Sequence, residues 1–340
     1  MTRAVNRSKA KASPCPLDQI SVIVLKRCPY LRTVLHKLIV ACWESGTLPD
    51  CWKNGFSILI YKKGDVNDPS NFRPITLQPG LYKVFASILR DRLYKFVDQN
   101  NYIDKHIQKG FWPATDGVTE HTELLTHMIK DAKRHQCSFI ITLLDLKNAF
   151  GEVHHNLIKS ALAFHHVPDK IQNIINNVYT NSMVQVSVNG VCTPLVEVER
   201  GVLQGDPCSP VLLNLCFNTL MVTVADKKYQ QLGYMWSTTN SRAWMQFADD
   251  AALIAHDVKG AQALLDLSAA WCSWANMKIR TDKCCTFGMT KRDGQYTQIQ
   301  PVSIVKPFHR YNSVVRSFTY LGKSFNFSMD NEAAKAQLIK

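Results

Sequence analysis

Two adjacent aspartates, Asp249 and Asp250, stand between apolar runs at residues 244–247 and 251–255. This pattern predicts a β-hairpin with both carboxylates at its turn. Neighbouring carboxylates repel each other and raise each other's pKa unless a cation lies between them. Because carboxylate oxygens are hard ligands, the pair indicates a divalent metal ion. An isolated Asp-Asp pair also occurs in ordinary polar turns, so residues elsewhere in the chain must decide between the two interpretations.

A third carboxylate, Asp145, follows a continuous apolar run at residues 139–144. Such a run predicts a strand that is buried on both faces. An aspartate at the end of the strand either caps the next turn or binds a cation. If this strand pairs with the predicted hairpin, three carboxylates meet at one end of a sheet. Such a set is the protein part of a two-metal site for phosphoryl transfer, in which the ions lie about 3.5–4 Å apart.

Residues 201–210, with the sequence Gly-Val-Leu-Gln-Gly-Asp-Pro-Cys-Ser-Pro, predict a fixed loop that leads into a buried helix. Ser209 is the predicted N-cap and Pro210 the first helical residue. A well-capped helix is the simpler interpretation of this segment. Gln204 and Gly205 indicate more, because a long amide beside bare backbone can approach a planar ligand closely.

Three strings of residues together resemble a known family: LDLKNAF at 144–150, GVLQGDPCSP at 201–210 and FADD at 247–250. In this order they are similar to the palm motifs of reverse transcriptases, and most of all to those of non-LTR (LINE-like) retrotransposons. Similar flanking motifs lie at residues 71–75, 274–283 and 320–322, so the resemblance covers about residues 15–325. Group II intron and telomerase reverse transcriptases are the nearest enzyme alternatives, and the Phe-Ala-Asp-Asp turn fits them less well.

The resemblance implies an RNA-directed DNA polymerase that adds dNTPs to a DNA primer on an RNA template. Two Mg²⁺ ions, with Mn²⁺ as an alternative, would be held by Asp145, Asp249 and Asp250. Lys283 would protonate the leaving pyrophosphate. The residues implied in nucleotide binding are Lys62 or Lys63, Arg73, Phe150, Gln204 and Gly205. Those implied in holding the primer end are Tyr320, Leu321 and Gly322.

Some of these positions have ordinary alternatives or depart from the family pattern. Phe150 matches the aromatic residue that excludes a 2′-hydroxyl and so selects deoxynucleotides, although most buried Phe side chains only pack. Lys283 is equally well explained as a solvated surface lysine. Trp112 replaces an arginine that is usual in the family; it cannot bind phosphate, but it could stack on a template base. Gly151 stands where an aspartate is common, and this change leaves the core chemistry untouched.

The predicted fold class is α+β, a right-hand polymerase with an antiparallel palm sheet packed on helices and with fingers before it. The chain divides into a loose basic tail at 1–15, fingers with entry into the palm at 16–135, the palm at 136–325 and the truncated start of a connection to the thumb at 326–340. Apolar spacing predicts helices at 20–44, 81–97, 119–134, 154–164, 169–180 and 258–277. Asn189-Gly190 predicts a hairpin turn.

The composition is consistent with this assignment. The 340 residues carry a net charge of +13, which suits phosphate binding but also ordinary solubility. Eleven cysteines without a C-x-x-C pair indicate free thiols in a reducing compartment and argue against a zinc site. The sequence contains no stretch of 18 uncharged apolar residues, so it predicts no membrane span. The N-terminus lacks the apolar region of a secretory signal. We therefore expect an intracellular protein of the nucleus or cytoplasm.

Two functions of different classes remain open at this point. The first is the active polymerase, and its support is that the chemistry of every motif is intact. The second is a truncated, inactive element remnant that only binds nucleic acid. Its support is Trp112 and the end of the chain soon after residues 320–322, where a thumb is expected to be largely absent.

Overall fold

The computed structural model describes residues 1–8, 14–188, 190–236, 241–299 and 313–329. The chain forms two compact units, and each is built from two separate segments. The first unit comprises Met1–Tyr102 and Phe150–Cys216, and the second comprises Ile103–Ala149 and Phe217–Lys340. The contiguous division predicted from the sequence differs, because its boundary at 135/136 falls inside the second unit. The predicted connection to the thumb lies mostly outside the described residues.

The helices follow the apolar spacing of the sequence. The stretch 20–44, predicted as one or two helices, forms two, and each of the other predicted helices is present with slightly different ends. Among the described residues, no helix is both long and apolar enough to cross a membrane. The helices are α1 (Thr2–Arg7), α2 (Val22–Arg27), α3 (Pro29–Ser45), α4 (Asp50–Lys53), α5 (Gly80–Gln99), α6 (Gly117–His135), α7 (Ala149–Glu152), α8 (His155–Phe164), α9 (Asp169–Tyr179), α10 (Ser209–Val224), α11 (Lys227–Gln230) and α12 (Val258–Trp274).

The prediction of a loose tail at 1–15 is wrong for its first residues, which form α1. The reason is tertiary packing: Ala4 and Val5 are buried, and the guanidinium of Arg7 forms an ion pair with Asp91 of α5. Basic composition alone does not reveal these contacts. Residues 9–13 of the predicted tail lie outside the described residues.

The strands form one sheet in each unit and two small hairpins. They are β1 (Asn54–Tyr61), β2 (Phe72–Leu77), β3 (Phe139–Leu144), β4 (Met183–Val188), β5 (Val191–Cys192), β6 (Val196–Glu197), β7 (Tyr234–Met235), β8 (Ser241–Arg242), β9 (Trp244–Phe247), β10 (Asp250–Ala255), β11 (Cys285–Arg292), β12 (Gln295–Gln298), β13 (Ser313–Val314), β14 (Ser317–Tyr320) and β15 (Lys323–Asn326).

The sheet of the first unit has the order β2-β1-β4-β5, and β6 also pairs with β4. β1 is antiparallel to β2 and parallel to β4. Val188 pairs with Val191, which confirms the predicted hairpin, although Asn189 itself lies outside the described residues. This sheet places the loop after β1 and the strand β2 side by side, and both carry predicted nucleotide-binding residues.

The sheet of the second unit has the order β12-β11-β3-β10-β9, and its neighbours along this path are antiparallel. β3 is covered on both faces, as its continuous apolar run predicts. The helix α6 buries residues at positions 125, 128, 129 and 132, one helical face, against this sheet. Packing on both sides therefore fixes β3 and β10, and with them the positions of the residues directly after β3 and directly before β10.

Candidate active site

Two of the three predicted metal ligands lie at the same end of neighbouring central strands. β3 ends at Leu144 and is followed by Asp145, while β10 begins at Asp250. Ala251 pairs with Leu144 in the antiparallel ladder. If this register is continued by one residue on each strand, Asp250 comes opposite Asp145, which follows the last residue of β3. Directly opposite residues share a face of the sheet and have Cβ atoms about 4.5–5.5 Å apart.

The third carboxylate belongs to the turn that joins β9 to β10. Phe247 pairs with Asp250, so Ala248 and Asp249 form a two-residue turn, and the predicted hairpin is confirmed. Ala248 has a φ of 56°, in the left-handed region that tight hairpin turns require. Asp249 is half-buried and Asp250 is exposed. The turn thus takes Asp249 out of the strict alternation of a strand, in which neighbours point to opposite faces.

These residues suit a divalent metal ion in their chemistry. Carboxylates are the ligands that Mg²⁺ prefers, and Mg²⁺ is usually bound by one or two carboxylates together with substrate phosphates. Within the part of the chain that the structure describes, no three or more acidic, histidine or cysteine side chains are grouped so that they could hold a metal ion. A metal site made by Asp145, Asp249 and Asp250 together therefore stays a prediction.

Lys283, the predicted proton donor, lies near Asp145. Its Nζ atom lies 4.0 Å from Oδ2 of Asp145, and both side chains are partly exposed. The backbone between them is fixed, because the Arg280 amide donates to the Asp145 carbonyl at 2.8 Å and the Lys147 amide donates to the Lys278 carbonyl at 2.8 Å. An exposed pair of this kind contributes about 1 kcal/mol or less to stability. Its position beside a metal-ligand candidate is more informative than its energy.

Tyr320 is placed differently from a residue that binds primer through its ring. Its side chain is 3% exposed, and its hydroxyl hydrogen-bonds Nδ1 of His121 at 3.2 Å. Burial, together with the charge of Asp250, raises the pKa of Tyr320 well above its ordinary value. The turn of the β14–β15 hairpin is formed by Leu321 and Gly322, which have φ values of 48° and 83°. Of the three predicted primer residues, Gly322 is the exposed one.

The three predicted triphosphate ligands lie on one hairpin of the first unit. Lys62 and Lys63 directly follow β1, and the Lys62 amide donates to the Asn71 carbonyl at 2.8 Å. Arg73 pairs with Ile60 across the β1–β2 ladder. All three cationic side chains are exposed. The structure therefore brings these cations together on a surface that an anion can reach.

Gln204 and Gly205 are bound to the same strand β2. The Thr76 amide donates to the Gln204 carbonyl at 2.7 Å. Gly205 has a φ of 125°, and a Cβ atom there would lie 2.3 Å from the Thr76 carbonyl oxygen. Phe150 also reaches this loop, because its carbonyl accepts from the Val202 amide at 2.7 Å. The nucleotide-binding residues predicted from sequence thus share one part of the first unit.

Sequence reasoning missed Asp206, which anchors this loop from inside the first unit. Its carboxylate is buried and accepts hydrogen bonds from the Tyr82 hydroxyl at 2.5 Å, Gln78 Nε2 at 3.0 Å and the Cys208 amide at 2.6 Å. Burial, followed by the Asp206 charge, raises the pKa of Tyr82 well above its ordinary value, so this phenol stays a donor. An aspartate between Gly and Pro predicts only a turn, and its two side-chain partners, Gln78 and Tyr82, lie more than a hundred residues away.

Trp112 is also buried, with 8% of its surface exposed. The Lys105 ammonium lies 5.1 Å from the centre of its ring. The prediction that this indole could stack on a template base is therefore not matched by its surroundings, because a packed ring offers no open face. The aromatic residue serves the packing of the segment that precedes α6.

Comparison with known proteins extends these observations. The reverse transcriptase (RNA-dependent DNA polymerase) family matches residues 60–325. The chain is 31% identical over 287 residues to the Pol polyprotein of the type-1 retrotransposable element R2 of Nasonia vitripennis, covering 83% of this chain and 27% of the relative. It is 29% identical over 327 residues to that of the element R2DM of Drosophila melanogaster, covering 94% and 29%.

A more distant relative is the RNA-directed DNA polymerase from the mobile element jockey of Drosophila melanogaster, at 24% identity over 260 residues, covering 74% of this chain and 27% of the relative. The chain thus spans less than a third of the length of these relatives. Among solved structures, apo telomerase from Candida Tropicalis truncated from its C-terminal domain is similar, with a TM-score of 0.56 and 13% identity over 94% of this chain and 62% of that one. At this identity the likeness shows the fold alone, a polymerase fold of mixed α+β content.

Proposed function

Because the chain belongs to the reverse transcriptase (RNA-dependent DNA polymerase) family, in the form found in non-LTR retrotransposons, we propose that it adds dNTPs to the 3′-hydroxyl of a DNA primer along an RNA template. The observation that carries the proposal is the register of β3 and β10. It supports a role in which Asp145 and Asp250 act together, with Asp249 beside them in the turn.

In the proposed reaction, Asp145, Asp249 and Asp250 would hold two Mg²⁺ ions, or Mn²⁺ in their place. When bound, these ions would lower the pKa of the primer hydroxyl and neutralise the leaving pyrophosphate. Lys283, already close to Asp145, would donate a proton to the pyrophosphate. A partly exposed ammonium suits this role because it can regain its proton from water.

The residues of the first unit would bind the incoming dNTP. Arg73 would bind the triphosphate through the parallel N–H donors of its planar guanidinium group, and Lys62 or Lys63 would attract it through the charge of its ammonium group. Gln204 and Gly205 would line the nucleotide pocket, and the ring of Phe150 would exclude a 2′-hydroxyl. In the second unit, the turn at Leu321 and Gly322, which follows Tyr320, would support the primer end.

We assign the sheet of the second unit to the palm and the β1–β2 hairpin of the first unit to the fingers of a polymerase. The assignment of the palm is supported by the antiparallel sheet that carries the three aspartates. The assignment of the fingers is supported by the exposed cations of the β1–β2 hairpin. Each unit would then use two separate segments of the chain.

Primer extension on an RNA template in the presence of Mg²⁺ tests the proposed function. Asp249→Asn keeps the size of the side chain and removes its charge, so we expect incorporation of dNTPs to fall by roughly 100-fold or more. Asp266→Asn, on the exposed face of α12, is the matched control and should behave like the wild type. Equal incorporation by Asp249→Asn and wild type would refute the metal assignment. A wild-type chain that binds the duplex without extending the primer would support the inactive remnant instead.

A further inference from the structure

A short segment before α6 lies along the edge strand of the second unit's sheet. Gln108 forms a parallel bridge with Gln246 of β9. The Gln246 amide donates to the Ile107 carbonyl at 2.8 Å, and the Lys109 amide donates to the Gln246 carbonyl at 2.9 Å. These bonds cover the free edge of β9 at the point where the chain enters the Ala248–Asp249 turn.

The side chain of Gln108 binds both backbone groups of the first turn residue. Its Oε1 atom accepts from the amides of Ala248 at 2.9 Å and Gly110 at 2.8 Å, and its Nε2 atom is 3.3 Å from the Ala248 carbonyl. Gln246 supplies a second donor to the same carbonyl at 2.7 Å, and its own Oε1 accepts from Trp244 Nε1 at 2.8 Å. The N–H and C=O groups of a single turn residue, Ala248, are therefore held by two amide side chains.

Both glutamine side chains are 1% exposed. Water does not compete for their hydrogen bonds, and a buried amide that loses its partner keeps its full desolvation penalty. Buried amides of this kind define one conformation more strictly than apolar packing does. The hydrogen bonds consequently favour one geometry of the turn and not merely its attachment to the sheet.

The turn needs such support because its first residue is strained. Ala248 has a φ of 56°, a left-handed conformation that is unfavourable for a residue with a Cβ atom, because that atom comes too close to the following carbonyl oxygen. Gly110 allows the supporting segment to come close, since a Cβ atom at this position would lie 2.2 Å from the Ala248 nitrogen. Glycine at 110 and glutamine at 108 thus act together on the same peptide group.

We infer that Gln108 is a positioning residue for the aspartates: it holds Ala248 in the left-handed conformation and so fixes the directions in which Asp249 and Asp250 leave the turn. The inference rests on the proposed function, because these directions matter for the reaction only if the aspartates bind the metal ions. A purely structural role for Gln108 would affect stability and leave the geometry of the turn unchanged.

The test is the substitution Gln108→Met, which keeps the length of the side chain and removes its three hydrogen bonds. We expect kcat for dNTP incorporation to fall roughly 10–100-fold, as is typical for residues that orient metal ligands, with the KM for dNTP within about twofold of wild type. The Mg²⁺ concentration for half-maximal rate should rise. Hydrogen exchange at the Ala248 amide should become faster, and this readout does not depend on activity.

Gln262→Met on α12 is the matched control, because this glutamine makes an exposed hydrogen bond to Asp266. It should leave kcat and exchange at Ala248 unchanged. If Gln108→Met does not fold, Gln246→Met provides the second test: it removes one of the two donors to the Ala248 carbonyl, and we expect a smaller change in the same direction.

Two results would overturn the inference. One is wild-type kcat and Mg²⁺ requirement in Gln108→Met, or in Gln246→Met if the first variant does not fold, while Asp249→Asn remains inactive. The other is a loss of activity that accompanies a lower melting temperature with no change in exchange at Ala248. Full activity of Asp249→Asn would instead refute the proposed function, whatever Gln108→Met does, so the two failures are distinguishable.

Discussion

At the scale of single residues, Phe150 has an informative environment. Its side chain is half-buried, and its carbonyl is bound to the loop that carries Gln204. A ring in this position is held by its backbone yet keeps some open surface. If that surface faces the sugar of the incoming nucleotide, the ring leaves no room for a 2′-hydroxyl.

We therefore predict that Phe150→Ala admits ribonucleotides. The ratio of rNTP to dNTP incorporation, measured as kcat/KM on the same primer and RNA template, should rise roughly tenfold or more, because the excluded hydroxyl then fits into the pocket. Phe164→Ala, which removes an exposed ring on α8, is the matched control and should leave the ratio unchanged. An unchanged ratio in Phe150→Ala would show that the ring only packs.

Strand ends are the part of the candidate site that the sequence predicts most directly. Asp145 and Asp250 each border a strand with a strong apolar pattern, and these two strands are neighbours in the sheet. Burial that depends on distant segments is harder to predict: Tyr320 is buried and contacts His121, 199 residues away along the chain. The hydrogen bonds of Gln108 to Ala248 link positions 140 residues apart, and no local pattern predicts them.

At the scale of elements, the loop that follows β6 depends on β2. Two features of Gly205 require glycine. Its φ is 125°, and a Cβ atom at this position would lie 2.3 Å from the Thr76 carbonyl oxygen. Any side chain at this position would therefore push the loop away from Thr76. Movement of this loop would displace Gln204, which we assign to the nucleotide pocket.

We predict that Gly205→Ala lowers the free energy of unfolding by about 2 kcal/mol or more and raises the KM for dNTP. Gly46→Ala is the control in the same unit, because Gly46 has a φ of 73° but no atom within 4 Å of a new Cβ. It should cost about 1 kcal/mol from backbone strain alone. Urea denaturation of both variants separates the clash from the strain, and equal losses would argue against the close approach to β2.

The packing of α6 on β14 gives a prediction about pH. Burial, followed by the charges of Lys109 and Arg242, lowers the pKa of His121 from 6.5 to about 4. Between these values the unfolded chain binds more protons than the folded one, so stability is full above pH 6.5 and is lost as the pH falls towards 4.

We expect His121→Gln, which keeps an acceptor for the Tyr320 hydroxyl, to lose less stability than wild type between pH 7 and pH 4.5. The difference should be about 2 kcal/mol, measured by urea denaturation at both pH values. His135→Gln is the control on the same helix, since this side chain is largely exposed. The same pH dependence in His121→Gln and wild type would contradict a buried neutral imidazole.

Elements with strong periodicity were predicted from sequence to within a few residues, such as α5 and the β9–β10 hairpin. Elements that depend on tertiary contacts were not: α1 forms because Ala4 and Val5 are buried and Arg7 pairs with Asp91. The discontinuous units are a further case, since the chain returns to the first unit at residue 150. Because motifs are identified in chain order, the sequence predicts domains that are each formed by one contiguous segment.

At the scale of the whole molecule, the net charge of +13 is the property most relevant to binding a nucleic acid. The exposed cations on the β1–β2 hairpin belong to this excess. Neutralisation of backbone phosphates by Lys and Arg releases counterions, and this release makes affinity depend on salt. We assign the three aspartates to the chemistry at the primer end and therefore expect them to contribute little to such binding.

We therefore predict that affinity for an RNA–DNA duplex falls about 100-fold between 50 and 200 mM salt, the value for about four phosphate contacts. Fluorescence anisotropy without dNTPs measures this dependence directly. Asp249→Asn should bind with the same salt slope and equal or slightly higher affinity, because it removes a negative charge and no phosphate contact. Binding that hardly changes with salt would show that the basic composition serves solubility alone. A loss of binding in Asp249→Asn would show that this aspartate supports the duplex-binding surface and not only the chemical step.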